Sequence, residues 1–132
     1  MKLSLFSTLF VLFTLQATAQ DTVKKNSKQL TGTASWYSNS FEGRRTANGE
    51  IFSQKKYTAA CNVLPLGTWV RLTNLRNGKT VIVKINDRMH PRMKRLVDLS
   101  RAAAARLDFL ARGLTRVRLE VLGKKRPSGA GE

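Results

Sequence analysis

The chain has 132 residues, room for one ordinary domain. Lysine and arginine outnumber aspartate and glutamate by 24 to 8, a formal charge of +16. A single cysteine, Cys61, excludes an intramolecular disulfide, so the fold must hold by packing alone.

Residues 1–19 read as a secretory signal peptide. Lys2 supplies a positive start, Leu3–Leu15 is mostly apolar, and Ala17-Thr18-Ala19 forms a small-residue cleavage site before Gln20. The apolar run is too short to span a membrane. No cysteine stands near the cleavage site to carry a lipid. The expectation is export to the periplasm or beyond, with cleavage after Ala19, no lipid anchor and at most a peripheral contact with membrane. Export turns the basic charge away from nucleic acid. It points to anionic cell-wall polymers or acidic lipids as the partners of that charge.

Residues 20–30 are polar and lysine-rich and read as a flexible leader, with order beginning at Thr31. Gly32–Ser38 has strand composition, and the adjacent Trp36 and Tyr37 must face opposite sides of a strand. Asn39–Gly49 is a loop rich in Gly, Asn and Arg. Glu50 follows it, and a carboxylate there can point from loop into cleft or pair with a neighbouring cation. Tyr57–Asn62, YTAACN, is small-sided and does not decide between helix and strand. Thr68–Asn74 alternates as a strand, and Asn77-Gly78 marks a hairpin into the next strand, Lys79–Asn86.

That second strand carries Val81, Val83 and Ile85 on one face, and simple alternation puts Asp87 on the same face. A poorly solvated carboxylate at the rim of an apolar face is a candidate general acid or base. It can equally cap a turn or pair with Arg88. A basic loop follows, with Arg88, His90, Arg92, Lys94 and Arg95. Leu96–Asp98 reads as a short strand. Ser100 is a good N-cap for a helix over RAAAARLDF, and Gly113 is placed to end that helical region. Leu114–Leu122 alternates as a closing strand, and residues 123–132 read as a disordered basic tail. Short strands, tight turns and one brief helix suggest a small β-barrel rather than a parallel α/β sheet.

The blocks GTASWYSNSFEGRRTANGE, TAACNVLPLGTWVRLTNLRNGK, VIVKINDR and RLVDLSRAAAARL together resemble the rare lipoprotein A (RlpA-like) family. The resemblance implies a mainly-β fold, a small six-stranded double-psi β-barrel over residues 31–122 with one short helix, related to barwin and expansin. It implies an endolytic lytic transglycosylase. Such an enzyme cleaves between N-acetylmuramic acid and N-acetylglucosamine, leaves a 1,6-anhydro end and needs no cofactor or metal. By position, Asp87 matches the family's catalytic aspartate and Glu50 a second active-site carboxylate. The family's third site residue is a histidine, and Cys61 stands in its place. The chain's one histidine, His90, lies three residues after Asp87 and is a candidate compensating group. Arg44, Thr46, Asn48, Asn86 and Arg88 are candidate substrate-binding groups, with Trp36 and Tyr37 as sugar platforms. The expected partner is a peptidoglycan glycan strand, bound by a monomer.

Three other readings use the same residues. Cys61, His90 and Asp87 could form a cysteine-nucleophile set. Cys61, His90, Asp87 and Glu50 could ligate a metal. An expansin-like barrel could bind wall glycan through aromatic residues, Trp69 among them, and perform no chemistry.

Overall fold

The computed structural model describes residues 27–131. The expected signal peptide and the leader through residue 26 lie outside the described residues. Six strands are present among the described residues: β1 (Gln29–Trp36), β2 (Thr58–Ala60), β3 (Trp69–Asn74), β4 (Thr80–Asp87), β5 (Val97–Leu99) and β6 (Thr115–Gly123). One short helix, α1 (Arg101–Arg106), lies between β5 and β6. The strands close into a barrel in the order β1-β5-β2-β4-β3-β6. Two neighbouring pairs, β1/β5 and β2/β4, run parallel, and the remaining neighbours run antiparallel.

Alternation explains the core. Val70 and Leu72 of β3, Val81, Val83 and Ile85 of β4, and Val117 and Leu119 of β6 all point inward and are buried. YTAACN resolves as strand, because β2 is squeezed between β5 and β4 and its small side chains let the three backbones approach. The Asn77-Gly78 hairpin forms between β3 and β4, with Gly78 at φ +77° in the left-handed region. The helix is shorter than RAAAARLDF allows. Ser100 caps it by accepting from the Ala103 amide. It ends at Arg106 because Leu107 and Phe109 both turn into the core, a bend that places Asp108 at φ +57°.

Two boundaries differ from the sequence reading. β1 begins at Gln29, since Gln29 and Leu30 extend the ladder opposite Glu120 and Leu119. The described part of the tail lies against the barrel instead of being disordered. Lys124 Nζ donates to the Leu66 carbonyl at 2.7 Å, and the Arg126 guanidinium stacks 5.7 Å from the Trp69 ring centroid. Gly131 lies flat on Tyr57, where a Cβ would stand 2.6 Å from the ring. These contacts give polar residues partners that a composition reading does not see.

Candidate active site

A β-bulge builds the site. Between Ala59 and Ala60, β2 advances one residue, while its partner β4 advances two, from Ile85 to Asp87. Asn86 is the extra residue. The shift turns Asp87 away from the face of Val81, Val83 and Ile85 and sets it beside Ala60 on the outer side of the barrel wall. This corrects the simple alternation, which cannot register an inserted residue. Asn86, expected to bind substrate, is 2% exposed, and its Oδ1 has no hydrogen-bond partner among the described residues.

Outside the barrel core, Tyr37, Phe52, Ala60 and Met89 form a second small apolar cluster, with Met93 packed on it. This cluster floors a cleft of about 340 Å³ that also exposes Trp36, Asp87, His90 and Asp98. Tyr37 Oη donates to Asp87 Oδ2 at 2.7 Å. The backbone amides of Ala47 and Arg88 donate to Oδ1 at 2.9 and 2.8 Å. Both carboxylate oxygens are therefore aimed by rigid neighbours, and no cation lies within ion-pair distance of Asp87 among the described residues. Tyr37 is locked in turn by Phe52, whose ring centroid is 4.2 Å away. Burial, and then the hydrogen bond to Asp87, push the Tyr37 phenol well above the ordinary tyrosine range, so it remains a donor.

Asp98 is a second carboxylate in the cleft. It opposes Ala60 across β5/β2 just as Asp87 does across β4/β2. Two strand spacings put the two backbones roughly 10 Å apart. Unlike Asp87, Asp98 is ion-paired: Arg95 holds it through two bonds of 2.9 and 3.1 Å. The sequence reading placed Asp98 only in a short strand and gave it no site role. Its alternation with the buried Val97 and Leu99 was the signal that it faces outward.

The structure separates the other candidates. Cys61 is fully buried in the barrel core beside Val70 and Ile85, because it continues the alternation of β2 with Ala59 inward and Ala60 outward. No hydrogen bond joins its thiol to His90, and no group of three or more His, Cys, Asp or Glu placed to hold a metal occurs among the described residues. His90 does reach the Asp87 cleft; it is exposed, and its Nδ1 accepts from the Arg92 amide at 3.1 Å. Arg88 turns one guanidinium nitrogen, Nη1, to the carbonyls of Cys61 and Leu64, tying down the loop after β2, while the residue also lines the cleft. Arg44 stands over Phe41, 5.4 Å from the ring centroid, at the cleft's edge.

Glu50 occupies a different recess, of about 420 Å³, with Tyr57, Trp69, Lys84 and Arg126. Lys84 Nζ donates to Glu50 Oε1 at 2.8 Å and, with help from the Asn48 side chain, holds the carboxyl below the usual glutamate range. Thr46 Oγ1 donates to Asn48 Oδ1 at 2.6 Å, so Thr46, Asn48, Glu50 and Lys84 form one chain of contacts. The 46–50 loop divides the two recesses: Ala47 serves Asp87 on one side, and Glu50 serves the other. Its position is set by the Asn48 amide, which donates to the Asn86 carbonyl of the bulge at 3.2 Å.

A closed six-stranded barrel with a bulge-positioned carboxylate at its wall defines the class, a double-psi β-barrel of the expansin and barwin kind. The apo structure of an expansin from Clavibacter michiganensis superposes with a TM-score of 0.61 at 19% identity, over 77% of this chain and 53% of that one. A mutant of that expansin in complex with cellohexaose gives a TM-score of 0.58. The family model described as lytic transglycolase matches residues 29–119, and the chain belongs to that family. A protein from Treponema pallidum named probable endolytic peptidoglycan transglycosylase RlpA is 57% identical over 86 residues, 65% of this chain and 27% of that protein. Endolytic peptidoglycan transglycosylase RlpA of Neisseria meningitidis is 46% identical over 90 residues, 68% of this chain and 38% of that protein. The chain thus spans roughly a third of the length of these relatives.

Proposed function

We propose that this protein is a lytic transglycosylase of peptidoglycan glycan strands, acting between N-acetylmuramic acid and N-acetylglucosamine. One observation carries the reading: Asp87 presents a carboxyl group to an aromatic-walled cleft, aimed by neutral donors at both oxygens. In its protonated form Asp87 donates to the glycosidic oxygen as the bond to the muramyl C1 breaks. The muramyl 6-hydroxyl attacks C1 and gives its proton to the same carboxylate. The products are a free 4-hydroxyl and a 1,6-anhydro end; no water is consumed, and Asp87 is regenerated. A single acid–base group is enough, in contrast to hydrolases that pair two carboxylates. Tyr37 positions Asp87. Trp36 offers a flat apolar face to a sugar ring. Glu50, held ionised by Lys84, accepts hydrogen bonds from sugar hydroxyls further along the strand.

Cys61, buried in place of the family's histidine, favours a second reading: a binder of wall glycan without chemistry. The fold likeness to an expansin solved with a glucan supports it too. Incubation with purified peptidoglycan and with glycan strands stripped of stem peptides separates the two. Anhydro ends seen by mass spectrometry with the protein, and not with Asp87→Asn, establish the transglycosylase. Glycan binding without such ends from either protein establishes the binder.

Residues 1–19 support export, with cleavage after Ala19. Mass spectrometry of the protein recovered from an exporting host is expected to find Gln20 as its first residue; an intact Met1 would overturn this.

A further inference from the structure

Three arginines converge on a recess outside the two just described. Arg76 of the β3–β4 hairpin, Arg112 of the α1–β6 connection and Arg116 of β6 line a depression of about 260 Å³ with Thr33 and Leu114. None of the three guanidinium groups is ion-paired among the described residues, whereas Arg71, Lys79, Lys84 and Arg95 each have a carboxylate. Three like charges facing one space repel one another, and an anion entering it relieves that repulsion. Guanidinium forks suit phosphate oxygens, which they can bind two at a time.

The rim of the recess is apolar. Of the five exposed large hydrophobic residues among the described ones, two stand here: Leu114, 51% exposed, and Leu75, 46% exposed. Leu75 adjoins Arg116, to whose carbonyl its amide donates at 2.9 Å. A soluble anion gains nothing from leucines beside it. An anionic bilayer engages both features, its headgroup phosphates meeting the arginines and its acyl boundary taking the leucines. We infer that this recess docks the protein on an anionic phospholipid surface. Thr33 precedes Tyr37 by four residues of extended chain, roughly 13 Å, and the two recesses share no lining residue. The inference does not depend on Asp87 performing chemistry.

A chain beginning at Gln20 keeps all six strands of the closed barrel and serves for the test. Co-sedimentation with vesicles of phosphatidylcholine, with and without phosphatidylglycerol, compares two charge-matched double variants. Each basic residue at an anionic surface contributes roughly fivefold. Arg112→Gln with Arg116→Gln is thus expected to weaken binding to the anionic vesicles about 25-fold. Lys28→Gln with Lys125→Gln, near the far end of β6, is expected to cost less than about threefold by the same scale. Leu114→Ser should weaken vesicle binding roughly tenfold from lost apolar burial and leave binding of a soluble glycerol-phosphate polymer unchanged. Thermal melts check that each variant is folded; if the arginine pair is not, Arg76→Gln in the exposed hairpin reads the same recess. Equal losses in the two double variants would overturn the inference, since charge alone would then explain binding. It would also fall if the arginine pair lost the soluble polymer and kept the vesicles.

Discussion

The Asp87 cleft and the Glu50 recess lie on either side of one loop, and each presents a carboxylate among aromatic residues. They differ in what faces the carboxylate. Asp87 accepts from a phenol and two backbone amides, all neutral. Glu50 accepts from the Lys84 ammonium, which favours its charged form. A group that must give up a proton and take one back is poorly served by a fixed cation, while a group that only receives hydrogen bonds is well served by one. The contrast is what supports the proposal that Asp87 transfers the protons and Glu50 binds, although sequence motifs alone mark both as site carboxylates.

The sharpest way to break this comparison is to remove each carboxylate in turn. Asp87→Asn is expected to lower anhydro-product formation by about a thousandfold, the usual scale for a general acid–base group, with the glycan still bound. Glu50→Gln should act mainly on binding, costing about tenfold, as one lost charge-assisted hydrogen bond does. Comparable losses in turnover would show that the two carboxylates share the chemistry. Next in size, Tyr37→Phe removes the donor to Oδ2 and should cost about tenfold in turnover. It also changes an optical signature. In the native protein the Tyr37 phenol should resist ionisation at the pH where ordinary tyrosines titrate, as read by ultraviolet absorbance. The folded phenol of Tyr37 is raised, so its stabilising contribution is complete below pH 10 and is lost as pH rises above it; the variant should lack that alkaline limb.

Smaller effects sharpen the contrast. His90→Ala, in the Asp87 cleft, should reduce turnover several-fold, and a silent variant would remove His90 from the site. Cys61→Ala should leave activity near that of the parent, because the thiol faces the barrel core. Cys61→Ser should instead lower stability by about 1–3 kcal/mol, the cost of burying a hydroxyl without a partner. Acid titration should separate the carboxylates last. The Glu50–Lys84 pair stabilises the fold above the ordinary glutamate range and is lost as pH falls through it, so Glu50→Gln should flatten the melting-temperature profile below pH 4.5. The change is small, since Glu50 is half-exposed.

Much of the fold was legible because it rests on local rules. Alternation identified β3, β4 and β6, Asn77-Gly78 announced their hairpin, and the alanines behind Ser100 announced α1. The site was legible only in part. Asp87, Tyr37, Trp36 and His90 come together, and their residue types and loop position had marked them. Arg88 also lines the cleft, but two backbone carbonyls engage its Nη1, a structural duty that no local pattern announced. Asp98 was missed as a cleft residue because β5 begins 10 residues after β4 ends, and only the barrel closure brings both strands to the flanks of β2.

Sequence by itself determined which residues alternate, where the chain turns and which carboxylates are available, because those depend on neighbours along the chain. Tertiary structure decided which way Asp87 faces, since one inserted residue at Asn86 shifts the register against β2 and reverses the side. It also decided that, among the described residues, Glu50 is ion-paired and Asp87 is not. That difference depends on where Lys84 reaches across 34 residues of sequence, which no local pattern records.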